Sequence, residues 1–147
     1  MKKRRGILYC LLAASMLVSL TGCSKGGSGT HLLVAHSHNE NHPVHVGLTY
    51  MKDEMEKNTG YTFSIYPNGQ LGGNSDMIQM VKAGVLDVAK VSASSLEQFN
   101  PAYSIFSLPY VFQSTEHYFK VMEESRAVQE IFKSTYDQGF FAVGWYD

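Results

Sequence analysis

YTFSIYPNGQLGGNSDMIQMVKAGVLDVAKV, residues 61–91, carries the densest structural information in this chain. Tyr61, Phe63 and Ile65 alternate with Thr62 and Ser64, the two-residue period of a half-buried strand. Pro67 has no N–H to give a ladder and ends it. Asn68-Gly69 and Gly72-Gly73 allow positive φ and close backbone approach. Ser75 is expected to cap a helix with Met77, Ile78, Val81 and Val85 on its apolar face. Gly84 suits the end of that helix. Leu86–Val91 reads as the next strand. Two strands joined through a helix imply a parallel, right-handed crossover. Ligands of such sheets sit beyond the carboxyl ends of the strands, which here places residues 67–75 and 91–95 on one rim.

The chain upstream repeats the pattern. His31–His36 is a short apolar run and the expected first strand. Pro43 starts a helix whose face is Val44, Leu48, Met51 and Met55, with Asp53 and Lys57 as an i,i+4 pair, stopped at Thr59-Gly60. Downstream, residues 92–100 are small and polar. Pro101–Phe112 is an aromatic stretch interrupted by prolines. A helix capped by Ser114 or Thr115 runs to about Tyr136, with a slip near Ser125 that allows a break or a second start there, and Phe140–Trp145 reads as a last strand. The expected fold class is α/β: a mostly parallel sheet flanked by helices.

The first 22 residues are of another kind. A basic start, Lys2-Lys3-Arg4-Arg5, precedes an apolar run from Ile7 to Leu20, too short for a span of about 20 apolar residues. It reads as an export signal. Leu20-Thr21-Gly22-Cys23 is similar to a bacterial lipobox, which implies cleavage before Cys23 and lipid on its thiol. Residues 23–30 would then be a flexible tether between lipid and folded body. Without its four leader cations the chain has eight basic residues against thirteen acidic, a net charge of −5. No basic footprint for nucleic acid remains. The mature chain would have no second cysteine for a disulfide.

Several residues invite chemistry. Five of the six histidines, His31, His36, His38, His42 and His45, fall within fifteen residues. A zinc site needs three or four ligands converging at fixed distances, and neither a cysteine nor a HExxH motif completes this set. A polar loop rich in imidazole explains it as well. Gly69-x-x-Gly72-Gly73 matches no nucleotide fingerprint; its N–H groups and the helix N-terminus behind it suit a carboxylate or phosphate, or simply a turn. There is no GxSxG, no free thiol in the mature chain and no convincing carboxylate pair, so no enzyme and no cofactor is expected.

In order along the chain stand Thr59-Gly60, Tyr66-Pro67-x-x-Gln70-Leu71-Gly72, Gly84-x-Leu86-Asp87, Pro101 and Leu108-Pro109-Tyr110-x-Phe112. In this order and spacing, over residues 31–147, the chain resembles the solute-binding proteins of tripartite ATP-independent periplasmic (TRAP) transporters, the DctP family. The resemblance implies a lobe like those of type II periplasmic binding proteins, residues 31–147, with a second lobe lying beyond this sequence. It implies capture of a small organic acid, a dicarboxylate or sugar acid, outside the cytoplasm, and delivery to an ion-driven TRAP permease. The lipobox adds tethering to the outer face of the cell membrane. Carried over by position, the ligand-binding residues would be His36, Asn74, Val91 and Ser92. Some relatives have an acidic residue where this chain has Asn74 and Ser92. The arginine that typically pairs with the ligand carboxylate belongs to the second lobe. Arg126 lies on a helix and is not that residue, so residues 24–147 alone are expected to bind an acid poorly. The alternative is a lipid-anchored zinc-binding protein using the His31–His45 cluster.

Overall fold

The computed structural model describes residues 30–146. The expected signal (1–22), Cys23 and nearly all of the tether (23–30) lie outside the described residues. Three strands, β1 (His31–His36), β2 (Thr62–Tyr66) and β3 (Val88–Lys90), form one sheet in the order β2-β1-β3. Both pairings are parallel, with Val34 opposite Ile65 on one side and Val88 on the other. β1 and β2 are joined by α1 (Pro43–Asn58), β2 and β3 by α2 (Asn74–Lys82). Side chains of a strand alternate between faces. Ala35 packs with Met77 of α2 and with Leu86, whereas its neighbour His36 meets His45 of α1. The two helices therefore cover opposite faces, and the expected α/β layering is what forms.

Local chemistry sets most boundaries. Pro43 occupies the first turn of α1, where its missing N–H costs nothing, and His42 Nδ1 accepts the Val44 N–H at 3.2 Å. At the end of α2, Gly84 takes φ +68°. Its N–H donates to Val81 and that of Val85 to Met80, the paired bonds of a Schellman cap. Val85 is thereby outside the helix and exposed rather than on its apolar face.

Other expectations are corrected. Tyr61 is not in β2, because its N–H is held by Thr59 Oγ1 in the turn after α1. Gly73, not Ser75, precedes α2, and the Asp76 carboxylate accepts the Gly73 N–H at 2.8 Å. β3 is shorter than Leu86–Val91: Asp87 Oδ2 accepts the Leu33 N–H at 2.7 Å, ahead of the β3 ladder. Asp53 does not pair with Lys57; it faces Lys52 at 3.5 Å, and Lys57 lies 3.8 Å from Glu54.

The remainder of the chain makes a second apolar cluster. A 3₁₀ turn (Ala93–Leu96) and a 3₁₀ helix (Pro101–Ser107) lead into α3 (Thr115–Glu124) and α4 (Arg126–Lys133). The expected long helix breaks where Ser125 turns extended, at φ −75° and ψ 118°. Ser114 Oγ caps α3 by accepting the His117 N–H. Buried Tyr103, Met122, Val128 and Phe132 form the cluster. The expected strand Phe140–Trp145 does not form. Its Ala142 N–H goes to the Phe132 carbonyl, Phe140 meets Phe99 edge-on, and Trp145 packs on Phe132. Those aromatics fill the space between helices instead of extending a sheet. Among the described residues no helix is long and apolar enough to cross a membrane.

Candidate functional site

Parallel pairing brings the carboxyl ends of β1, β2 and β3 to one edge, at His36, Tyr66 and Lys90. The loops that leave this edge are laced together. The Gly69 N–H donates to the His36 carbonyl at 3.1 Å and that of Asn68 to the His38 carbonyl at 2.8 Å. Asn68 and Gly69 both have positive φ, and Gln70 N–H closes the turn onto Pro67, as in a type I′ turn.

Asn74 begins α2 and reaches across to the segment after β3. Its amide nitrogen donates to Ser92 Oγ at 3.0 Å and Ser95 Oγ at 3.2 Å, and the Ser92 hydroxyl also meets those of Ser94 and Ser95. The amide orientation follows from this network. No described group bonds the Asn74 carbonyl oxygen. Val91 turns its side chain into the Ala35–Met77–Leu86 cluster and leaves only its backbone for a ligand.

His36 is the innermost residue of the rim, wholly buried. Its Nε2 lies 3.0 Å from His45 Nδ1, and its Nδ1 has no partner. Burial first, then the neighbouring His45, His38, Lys90 and His42, hold its pKa below the usual histidine value. His38 is lowered too, by burial and then by Lys90 and His42. The His38 and His42 rings stack at 4.0 Å between centroids. His31 stands apart at the other end of β1, against Thr62 and Ser64. Among the described residues no three His, Cys, Asp or Glu side chains are placed to hold a metal ion. The zinc alternative therefore has no ligand set in this geometry.

Asn74, Val91 and Ser92 thus adjoin one another. His36 joins them through the sheet, opposite Lys90 in register, with no direct hydrogen bond to Asn74 or Ser92. A shallow concavity of about 460 Å³ lies off this rim, lined by Glu40, His45, Ser64, Ile65, Tyr66, Pro67 and Gln70. It contains none of the four residues, and its open form and lack of any cation argue against an acid site there.

The family model described as "Bacterial extracellular solute-binding protein, family 7" (DctP) matches residues 34–147. The chain belongs to this family. A solved structure, that of a TRAP periplasmic solute-binding protein from Anaerococcus prevotii with bound α/β-D-glucuronate, is 38% identical with a TM-score of 0.77, over 80% of this chain and 39% of that one. A second, from a Sulfitobacter species with bound β-D-galacturonate, is 28% identical with a TM-score of 0.72, over 80% of this chain and 40% of that one. The uncharacterized protein YiiZ of Salmonella typhimurium is 37% identical over 139 residues, 93% of this chain and 42% of its own length. The chain spans about two fifths of the DctP relatives it matches.

Sequence reading had His45 only as a candidate metal ligand and Ser95 only within the 91–95 rim segment, and it missed Lys90. The contacts of Ser95 with Asn74 and of His45 with His36 become visible only in the folded chain. Lys90 had a signal: a lone cation in the apolar run Leu86–Val91, where a lysine is costly unless it has a partner. Its Nζ lies 2.9 Å from His38 Nε2 and 5.6 Å from the centre of the Tyr146 ring.

Proposed function

We propose that this chain supplies one wall of an extracytoplasmic binding site for a small organic acid, a dicarboxylate or sugar acid. The bound acid is handed to an ion-driven membrane permease of the TRAP type. Cys23 carries lipid and tethers the protein to the outer face of the membrane. Asn74 and Ser92 offer hydrogen bonds, Val91 its backbone, and buried His36 the floor beneath them. The role is binding, not catalysis.

One observation carries this reading: the hydrogen-bonded meeting of Asn74 with Ser92 at the carboxyl edge of a parallel sheet, in a chain of the DctP family. That edge is where open α/β sheets hold ligands. The bound glucuronate and galacturonate of the two solved relatives support the acid class.

Isothermal titration tests it. The protein as its gene encodes it is titrated with D-glucuronate, D-galacturonate and L-malate. At least one is expected to bind with micromolar affinity, and Asn74→Ala is expected to weaken it about tenfold, the effect of about 1.4 kcal/mol. Silence toward all three acids would refute the proposal.

A further inference from the structure

The rim carries a positive charge that the reading above does not use. Lys90 is half-buried on the last position of β3. Among the described residues no carboxylate lies within ion-pair distance of it. Its described neighbours are imidazoles and a phenol ring: His38 at 2.9 Å, Tyr146 beneath the ammonium, and His36 opposite in register. His45 of α1 completes this side by its bond to His36, and His42 by stacking on His38.

These neighbours do not neutralise the lysine. An ammonium only donates, so His38 Nε2 must accept, which requires an unprotonated nitrogen there. His42 Nδ1 accepts the Val44 N–H and is likewise unprotonated at that atom. Burial keeps His36 and His38 from taking up protons easily. His38 and His42 therefore each present an acceptor nitrogen and supply no negative charge to the lysine. A half-buried cation without a counter-charge is costly, and an incoming anion offsets that cost. Burial also draws the Lys90 pKa down from the usual lysine value, the sign expected of an ammonium that gains no carboxylate from its surroundings.

Ser92 follows Lys90 by two residues, roughly 6–7 Å along extended chain. The cation thus borders the rim from the side of α1, and the Asn74–Ser92–Ser95 network borders it from the side of α2. The two sides differ in kind: one offers charge, the other a carbonyl oxygen and a row of hydroxyls.

We propose that Lys90 is the cation through which this part of the protein grips the acid group of its ligand, with Asn74, Ser92 and Ser95 reading the ligand's hydroxyls. The substrate class is then a polyhydroxylated acid, favoured over a neutral sugar and over an acid with a nearby ammonium group. This rests on the acid-binding reading given above.

The test uses the protein as its gene encodes it, with D-glucuronate and D-galacturonate as probes, alongside Lys90→Met and Lys90→Arg. Wild-type protein is expected to bind one uronate. Lys90→Met is expected to weaken it at least about 30-fold and to flatten the salt dependence of affinity. Lys90→Arg is expected to stay within a few-fold of wild type. If Lys90→Met does not fold, Lys90→Gln replaces it, with a thermal melt confirming its fold. Wild-type binding that survives either neutral variant within threefold overturns the role of Lys90 alone. A wild type that binds neither uronate but binds malate overturns the hydroxyl-reading assignment and leaves acid binding standing. A wild type silent toward all three overturns both.

Discussion

Adding one methyl group to Gly72 tests whether the loop before α2 is held as described. Gly72 sits at φ +97°, where an L side chain costs about 1–2 kcal/mol. A Cβ placed there would lie 2.7 Å from Asp76 Oδ2 and 2.8 Å from Asp76 Cβ. The second contact cannot be relieved by rotating the carboxylate, since Cβ is fixed to the helix backbone. Asp76 would be pushed off the Gly73 N–H it now holds at 2.8 Å, a loss of about 1 kcal/mol for a cap. Gly72→Ala should therefore destabilise by about 2–3 kcal/mol. Gly84 separates the two causes: its φ is +68° but a Cβ would meet nothing within 4 Å, so Gly84→Ala should cost only about 1 kcal/mol. Gly60→Ala, with neither obstacle, should be neutral or stabilise by up to about 1 kcal/mol. Urea unfolding followed by far-UV circular dichroism measures all three, read as midpoint shifts at constant slope. If Gly72→Ala costs no more than Gly84→Ala, the clash and cap argument is wrong.

Two further outcomes follow from the same geometry. His36 binds fewer protons folded than unfolded, because its folded pKa is depressed below the unfolded value of about 6.5. Its contribution is thus intact above about pH 6.5 and is lost as pH falls from there through the folded pKa. Chemical unfolding at pH 7.5, 6.5 and 5.5 should show that decline, and His36→Gln should have a shallower one; equal slopes would contradict the burial argument. Tyr103 is 1% exposed, packs with Met122, Val128 and Phe132, and donates to the Phe132 carbonyl. Tyr103→Ala should cost about 3–5 kcal/mol and Tyr103→Phe about 1 kcal/mol in the same urea assay, whereas near-equal losses would show that packing is not what Tyr103 supplies.

Much of the sheet was legible because its signals are local. The alternation in Thr62–Tyr66, the Pro67-Asn68-Gly69 turn and the Gly84 cap each need only a few neighbouring residues. The failure at Phe140–Trp145 has the opposite origin. It is an unbroken apolar and aromatic run, FFAVGW, compatible with a strand, but a strand also requires a partner edge, which no local pattern reports. Ser125 shows the same limit, since a slip in helical spacing does not say whether the chain bends or restarts. For the site, Asn74 and Ser92 are 18 residues apart in sequence, and their contact exists only once the crossover is complete. Family resemblance supplied these positions, and spacing alone would not have. Lys90 escaped because its setting depends on register: only the fold places it opposite His36 and against His38, with no carboxylate within ion-pair distance among the described residues.

α2 is fastened at both tips: Asp76 grips the backbone at its start and the Gly84 turn locks its finish. Such a strut has little freedom to slide, fray or rewind. Asn74, the first residue of this helix, sits directly beside that grip. On the binding role proposed above, this helix would be a preorganised part of the site, its ordering cost met during folding and not at capture.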